Sequence, residues 1–239
     1  MNFLNKMNNI KEENNSQPKV ELQDFNKNNS IYIPSLEMYF AKEITHFKKN
    51  WFESNKLLQE NNEFMPTIPH FIESLKYLKS SNNKEYLTIY KDITERKGSW
   101  RAEWLDADFK VKDKKLYVNY NHVLDSNGPK GISQRDDFIK PSSGVNLIPK
   151  NLEILDSNTL MKDKALGINL EDYINKYHTK QGLPTKKTKS GEMYYWYPRS
   201  DNNSVARFST VENRASLVCN GNPSYRNSNL GVRACKMVR

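Results

Sequence analysis

Three carboxylates close together are the first residues in this sequence that could do chemistry. Glu103, Asp106 and Asp108 lie within the string EWLDADF. Paired carboxylates can act as a general acid and base or hold a cation. Acids at such mixed spacing, on an alternating or turning segment, more often cap turns and pair with neighbours, here Arg101. We therefore predict a structural role for this acidic group.

The histidines and cysteines do not form a recognisable metal or nucleophile motif. The four histidines are His46, His70, His122 and His178. None has the HExxH spacing or a cysteine or histidine partner at metal-ligand spacing, so we predict helix-surface or turn positions and no bound metal. Cys219 and Cys235 lie in apolar, strand-like strings without a nearby histidine, which favours buried free thiols and leaves one disulfide open. The GxGxxG and GxxxxGK phosphate-binding motifs are absent, and no cofactor is predicted.

The aromatic run MYYWYP could stack on bases or sugars, next to a basic loop at 180–189. On a strand, however, Tyr194 and Trp196 face one way while Tyr195 and Tyr197 face the other. At least half of these rings should therefore lie in the core. We favour structural packing for the run as a whole.

Length and charge indicate a globular protein with a solvated surface. The 239 residues suffice for one well-buried domain or two small ones, and 36% are apolar. The net charge is +9, but 28 acidic residues are interspersed with 37 basic ones, so nucleic acid is not a favoured partner. No apolar run approaches the ~20 residues of a membrane span, and the N-terminus lacks the apolar core of a secretory signal. The location is not predicted, and a cell-surface location by an unrecognised route stays open.

The first part of the chain has helical periodicity after a polar leader. Residues 1–30 are rich in Asn, Lys and Glu and predict a flexible leader. From Ser35, a plausible N-cap, apolar residues recur at three- and four-residue spacing as far as Leu58, which predicts one long amphipathic helix. The strings PHFIESLKYLKS and KEYLTIYKDITERK predict two more helices, the last closed by Gly98. We expect a helical region at 31–98 that packs on the core.

Beyond this region the apolar pattern changes to alternation. In WRAEWLDADFKVKDKKLYVNYNHVL, two alternating runs flank a polar turn, which predicts a β-hairpin. Residues 125–150 are turn-rich and predict a long loop, and NLEDYINKYH predicts a short helix with Asn169 as N-cap. Strands resume in MYYWYP, SVARFSTV, RASLVCN and LGVRACKMV. The predicted class is α+β, with N-terminal helices and a small, twisted antiparallel sheet.

The C-terminal segment has an unusual composition. No lysine occurs from Ser190 to Cys235, whereas six of the chain's nine arginines lie from Arg199 onward. Short strings such as SVARF and LGVRAC alternate with positions filled by Asn, Ser, Tyr, Thr, Val and Gly. Framework and filler thus look like two separate layers of one segment.

These strings carry a family resemblance. WYPRS, SVARF, RASLVCNGNP and NSNLGVRAC resemble the variable region of the variable proteins of diversity-generating retroelements in nanoarchaea and other uncultivated archaea. The string ITERKGSWRAEWLDADFKVKDKKLYVNYNH is similar to their upstream scaffold, so the resemblance spans about residues 66–239. It implies a C-type lectin fold, in which a small sheet and two helices display a hypervariable surface. On this chain it implies a C-type lectin-like domain at 99–239 with its variable region at about 200–235.

The resemblance also implies a cause for the missing lysine. In such systems a reverse transcriptase misincorporates at adenines, so AAC and AAT codons become many others. Lys, Gln, Glu, Met and Trp stay out of reach because the third base remains a pyrimidine. Residues 200–235 contain none of these five except Glu212, which we interpret as a fixed position.

Side-chain type separates the two layers of this segment. The apolar or small residues at alternating spacing are predicted to be buried, namely Val205, Ala206, Phe208, Ala215, Leu217, Cys219, Leu230, Val232 and Ala234. Arg207, Arg214 and Arg233 are predicted to hydrogen-bond carbonyls or acids and so hold irregular backbone. By difference, the predicted ligand contacts are Ser209, Thr210, Val211, Asn213, Ser216, Val218, Asn220, Asn222, Ser224, Tyr225, Arg226, Asn227 and Asn229. Asn, Ser, Tyr and Arg are also the residue types that antibody paratopes use.

These observations lead to one leading function and two alternatives. The leading prediction is a ligand-binding protein without catalysis, which recognises an unidentified protein or cell-surface molecule. Calcium is not favoured, because the variable segment holds only two acids, Asp201 and Glu212. One alternative is an enzyme of the formylglycine-generating type, which shares a C-type-lectin-like core and needs reactive cysteines. The other is a basic nucleic-acid-binding module that uses the 180–189 loop and the YYWY run.

Overall fold

The predicted α+β class is present in the structure. The computed structural model describes residues 28–95, 100–125, 139, 142–160, 166–188, 191–198, 204–211 and 214–238. Most of the predicted leader therefore lies outside the described residues, and the first strand begins at Ser30.

The elements follow one another in this order along the chain. The first half contains β1 (Ser30–Ile33), a 3₁₀ turn (Pro34–Leu36), β2 (Met38–Ala41), α1 (Trp51–Glu60), α2 (Ile68–Ser80), α3 (Lys84–Thr94), β3 (Arg101–Lys112) and β4 (Lys115–Leu124). The second half contains β5 (Leu147–Ile154), β6 (Leu166–Ile168), α4 (Leu170–Asn175), β7 (Met193–Trp196), β8 (Ser204–Val211), β9 (Arg214–Gly221), β10 (Leu230–Val232) and β11 (Cys235–Met237). The second and third predicted helices, the β3–β4 hairpin and the short helix capped by Asn169 are confirmed.

The long helix predicted from Ser35 is wrong over its first half. The chain there makes a 3₁₀ turn and then strand β2, and α1 begins only at Trp51. Strand β2 lies between β1 and β11, and both Met38 and Phe40 are fully buried. Sheet hydrogen bonds and burial from two sides outweigh the helical spacing, because local propensity is a weak determinant beside tertiary packing. The predicted closing residue of α3, Gly98, lies outside the described residues.

The described strands form two sheets, which join distant parts of the chain. The small sheet has the order β1-β2-β11, so the C-terminal strand pairs with one near the N-terminus. The large sheet has the order β5-β4-β3-β8-β9-β7-β6, and β10 pairs alongside β3. The sheet is mixed rather than purely antiparallel, because β7 is parallel to β9 and β10 is parallel to β3. The string LGVRACKMV, predicted as one strand, divides into β10 and β11, which belong to different sheets.

Helices α2, α3 and α4 pack with one face of the large sheet. Their apolar side chains join Phe208, Leu217 and Cys219 in one core cluster. All nine residues predicted to be buried in the C-terminal segment are at most 2% exposed, which confirms that prediction.

The predicted loop at 125–150 is shorter than expected, since β5 already begins at Leu147, and residues 126–138 and 140–141 lie outside the described part. Within the described ranges, no helix is both long and apolar enough to cross a membrane.

The N-cap of α1 is expected to contribute more to stability than that of α3. The Asn50 side chain accepts a hydrogen bond from Glu53 N at 2.9 Å and donates one to Ser143 Oγ at 2.8 Å. We expect Asn50→Ala to lower the free energy of unfolding by about 2 kcal/mol, the upper end of the range for caps. Asn83→Ala, at the exposed cap of α3, is the matched control with a loss of about 0.5 kcal/mol. Urea denaturation measures the free energy of unfolding of both variants. An equal decrease in the two variants would contradict the expectation.

Candidate ligand-binding surface

Strands β8 and β9 present two different faces. On β9, Ala215 and Leu217 point into the core, whereas Ser216, Val218 and Asn220 line the opposite side. Successive side chains of a strand alternate between its faces. This alternation divides the segment into a packed face and an open face.

The open face forms a concavity of about 580 Å³. This volume is within the range of small-ligand pockets, roughly 300–1,000 Å³. Four of the predicted ligand contacts line it, namely Ser209, Ser216, Val218 and Asn220. The two serines are almost fully covered, because they are short side chains at the floor of the concavity. The structure thus brings together predicted positions from two strands.

Three aromatic residues line the same concavity but were not among the predicted contacts. They are Trp100, Tyr194 and Trp196. The alternation of the YYWY run is confirmed, since Tyr195 is fully buried and Trp196 is 38% exposed. From that alternation, the outward position of Tyr194 and Trp196 could have been predicted. Trp100 had no such signal, because its place beside Tyr225, at 6.4 Å between ring centroids, depends on a loop more than a hundred residues later.

Arg207 and Arg214 do not hold backbone as predicted. The Arg207 guanidinium lies over the Trp100 ring at 5.8 Å and over the Tyr225 ring at 5.5 Å, and Arg214 lies over Tyr194 at 4.8 Å. The buried Nε of Arg207 has no hydrogen-bond partner. Burial lowers the pKa of Arg207, with a smaller opposing effect of Tyr225. Both side chains line the concavity instead, and their neighbours among the described residues are aromatic rings.

Arg233 does hold backbone, as predicted. Its guanidinium is 1% exposed and donates to both carboxylate oxygens of Glu103, each at 2.9 Å. It also donates to the carbonyls of Ala41 and Lys42, next to the end of β2. Burial raises the pKa of Glu103, but Arg233 and Arg101 outweigh it and keep that pKa below its usual value. This ion pair links β3 to the segment between β10 and β11, so the structural role predicted for Glu103 is confirmed.

The loop at 222–229 forms a rim beside the concavity. It holds six predicted contacts, namely Asn222, Ser224, Tyr225, Arg226, Asn227 and Asn229. Asn222 Oδ1 accepts from Ser224 N at 2.9 Å, and Asn227 Oδ1 accepts from Asn229 N at 2.8 Å, so these amides shape the turns. Arg226 is held by both carboxylate oxygens of Glu53, at 3.0 and 2.8 Å. Tyr225, 40% exposed, connects rim and concavity through Arg207.

Thr210 does not belong to this surface, contrary to the prediction. It is 3% exposed and lines a separate cavity of about 260 Å³ that includes residues of α3 and Arg101. Its neighbour Ser209 faces the concavity, and adjacent strand residues point to opposite faces. Selection by residue type alone ignored this alternation. Asn213 and the side chain of Val211 lie outside the described residues.

His122 is buried in an acidic pocket, so the surface or turn position predicted for it is wrong. Its Nδ1 is 2.5 Å from Asp106 Oδ1, and its Nε2 is 2.8 Å from Asp108 Oδ2. Burial lowers the pKa of His122, but the two carboxylates outweigh burial and raise it to about 9. A charged imidazole between two carboxylates is a satisfied ionic cluster. Among the described residues, no group of three acids, histidines or cysteines has the geometry of a metal site.

Neither the two cysteines nor the described part of the basic loop, residues 180–188, lines the concavity. Cys219 and Cys235 are free and fully buried, and burial raises the pKa of each thiol well above its usual value. In the basic loop, Lys180 pairs with Glu153 at 2.9 Å, and Lys186 lies over the Tyr177 ring at 4.4 Å. Neither contact joins these two lysines to the YYWY run.

The concavity offers ring faces, two guanidinium groups and small polar side chains. These groups bind by stacking, charge and hydrogen bonding. Neither a histidine nor a carboxylate is among the described residues that line it. No protein-family model, curated protein or solved structure matches this chain.

Proposed function

We propose that this protein recognises ligands as the variable protein of a diversity-generating retroelement. In this proposal, a C-type lectin-like scaffold displays positions that adenine-directed mutagenesis changes. One observation carries the proposal: predicted variable and core positions alternate along strand β9. Ser216 and Asn220 open into the concavity, whereas Leu217 and Cys219 of the same strand pack against the helices.

This alternation makes diversification compatible with folding. Substitution of a surface position away from caps, cores and networks changes stability little. Loss of a large core side chain costs several kcal/mol. A segment that varies only at outward positions can therefore change its ligand and keep its fold.

The framework around the variable positions is anchored at both ends. Strand β8 pairs with β3, and β11 pairs with β2. Between β10 and β11, the buried Arg233–Glu103 pair adds a third link to the scaffold. Helices α2, α3 and α4 pack behind this face of the sheet. These links support a rigid display surface.

The two alternative functions have less support. An enzyme of the formylglycine-generating type needs reactive cysteines, and a buried thiol with a raised pKa is a poor nucleophile. A nucleic-acid-binding module that combines the 180–189 loop with the aromatic run needs the two on one surface. Lys180 and Lys186 have other partners, and none of the described lysines of the loop, which also include Lys187, lines the concavity.

Two matched libraries test the proposal. One randomises Ser209, Ser216, Val218, Asn220, Ser224 and Tyr225 with degenerate codons that end in a pyrimidine. The control library randomises the same number of buried positions, Val205, Ala206, Phe208, Ala215, Leu217 and Leu230. We expect most members of the first library to resist protease as the parent does and to yield binders against an arbitrary folded protein. Most control members should be cleaved, because their substitutions create cavities or bury polar groups.

Two results would contradict the proposal. Equal loss of protease resistance in both libraries would show that the outward positions are needed for folding. A folded first library without binders against several unrelated proteins would show that the surface does not support diversified recognition.

A further inference from the structure

We propose that the concavity is a constant anchor for a carboxylate in an acidic peptide segment of the partner protein, while the positions around it vary. This inference rests on the recognition function proposed above and names the group that its surface takes. The anchor comprises Trp100, Tyr194, Trp196, Arg207 and Arg214. None of the five is among the predicted variable positions.

The first argument is the unsatisfied donor of Arg207. Its guanidinium lies next to the adjoining rings of Trp100 and Tyr225, and among the described residues its buried Nε has no hydrogen-bond partner. Buried N–H groups in folded proteins are nearly always satisfied, and each exception calls for an explanation. A ligand acceptor that binds the part of this guanidinium lining the concavity would give the side chain a polar partner.

The second argument is charge. Of the arginines that the structure describes, Arg101 and Arg233 pair with Glu103, and Arg226 pairs with Glu53. Among the residues that the structure describes, no carboxylate pairs with Arg207 or Arg214, and both line the same concavity. The described lining residues of this concavity also include no acid. Two cations facing one cavity without a counter-charge favour an anionic ligand group.

The third argument selects a peptide carboxylate among anions. A guanidinium presents a rigid fork of donors that matches a carboxylate, and Trp, Tyr and Arg are the residues enriched in hot spots of protein interfaces. Tracking a nucleic-acid strand instead requires a groove with a row of cations. The rim does not supply such a row, because Arg226 is already paired with Glu53.

The predicted variable positions around the anchor leave room for the ligand. Ser209, Ser216, Val218 and Asn220 have small or medium side chains, which leave the volume of about 580 Å³ open. Changing them alters the shape and hydrogen bonding around the ion pair without removing it. The anchor would supply binding energy common to all variants, and the varied positions would choose among acidic segments.

The test uses the full chain and two end-blocked peptides. The probe is acetyl-Glu-Phe-Glu-amide, and its uncharged match is acetyl-Gln-Phe-Gln-amide. Amide and indole N–H resonances are followed by NMR during titration. We expect the acidic peptide to shift the indole signals of Trp100 and Trp196 and the Nε–H signal of Arg207. Trp51 and Trp104 serve as internal controls, because their indoles donate to Leu105 O and Lys49 O inside the protein.

Substitutions of the two arginines then test whether they bind the acidic peptide. Arg207→Gln and Arg214→Gln should each lower the affinity for the acidic peptide by about tenfold or more, because the carboxylate loses a charged hydrogen-bonding partner. Lys56→Gln removes the same charge from the exposed side of α1 and should leave binding unchanged. If Arg207→Gln fails to fold, Arg214→Gln, at an exposed position, together with the two peptides still decides the question.

Three outcomes would overturn the anchor. They are equal binding of both peptides, no indole shift at millimolar peptide, or displacement of the acidic peptide by oligothymidylate with a steep salt dependence. Library binders that do not depend on Arg207 or Arg214 would also overturn it and leave the recognition function intact. Acidic-peptide binding at this site, with no binders from the library, would instead support the anchor and contradict diversified recognition.

Discussion

Replacing Arg233 by alanine is expected to lower the free energy of unfolding by about 3–5 kcal/mol, the cost of breaking a buried ion pair from one side. The guanidinium is 1% exposed and holds both oxygens of Glu103, which is itself 2% exposed. Without Arg233, the Glu103 carboxylate keeps only Arg101, at 2.7 Å, and two carbonyls near β2 lose their donor. Chemical denaturation with urea measures the loss.

Two further variants separate the buried pair from charge removal in general. Arg226→Ala removes an exposed arginine that is also paired with a glutamate. It should lower the free energy of unfolding far less than Arg233→Ala does. The double variant Glu103→Gln, Arg233→Met should recover part of the stability lost in Arg233→Ala, because it leaves no unpaired buried charge. Equal losses for Arg233→Ala and Arg226→Ala would show that the pair does not hold the small sheet to β3.

The stability of the protein is expected to fall between pH 7 and pH 9. The carboxylates of Asp106 and Asp108 raise the pKa of His122 to about 9, above its unfolded value of 6.5. A raised histidine pKa contributes its full stability below pH 6.5 and loses that contribution as the pH rises through about 9. The expected slope approaches about 1.4 kcal/mol per pH unit and is smaller near each of the two pKa values, so the loss between pH 7 and pH 9 amounts to about 2 kcal/mol. Urea denaturation at half-unit pH intervals measures it.

A direct titration and a variant check the assignment. By NMR, the His122 ring should titrate near pH 9, whereas burial lowers the pKa of His46 and His70 below the usual range. In His122→Gln, the free energy of unfolding should no longer fall with rising pH between pH 7.5 and 9. Burial raises the pKa of Glu63 to about 7, so that carboxyl completes most of its titration below this narrower window. A His122 ring that titrates near 6.5 would contradict the charged cluster.

The part of the candidate site that follows strand alternation could be predicted from the sequence. In β9, the inward Leu217 and Cys219 and the outward Ser216 and Asn220 were separated by spacing and residue type alone. A two-residue period is local, so a few consecutive residues are enough to define it. Where residue type was used without the period, as for Thr210, the prediction was wrong.

Other features could not be predicted because they depend on contacts between distant segments. His122 looks like any polar residue at the end of a strand, and only the pairing of β3 with β4 brings Asp106 and Asp108 to its ring. The helical spacing after Ser35 is real, but the partners on either side of β2 decide its conformation. In both cases the deciding energy comes from burial and pairing that a local pattern does not contain.

Amino-acid order alone was sufficient for the α+β class, the hairpin, helices α2 to α4, and the core positions of β8 and β9. It did not separate Arg233, which holds backbone, from Arg207 and Arg214, for which the same prediction was wrong. The three-dimensional fold was needed to place Trp100, Tyr194, Trp196, Arg207 and Arg214 around one concavity. The physical reason is the range of the interactions. Periodicity and capping act within one element, whereas ring stacking, buried ion pairs and the shape of a cavity exist only after strands and loops from separate parts of the chain have come together.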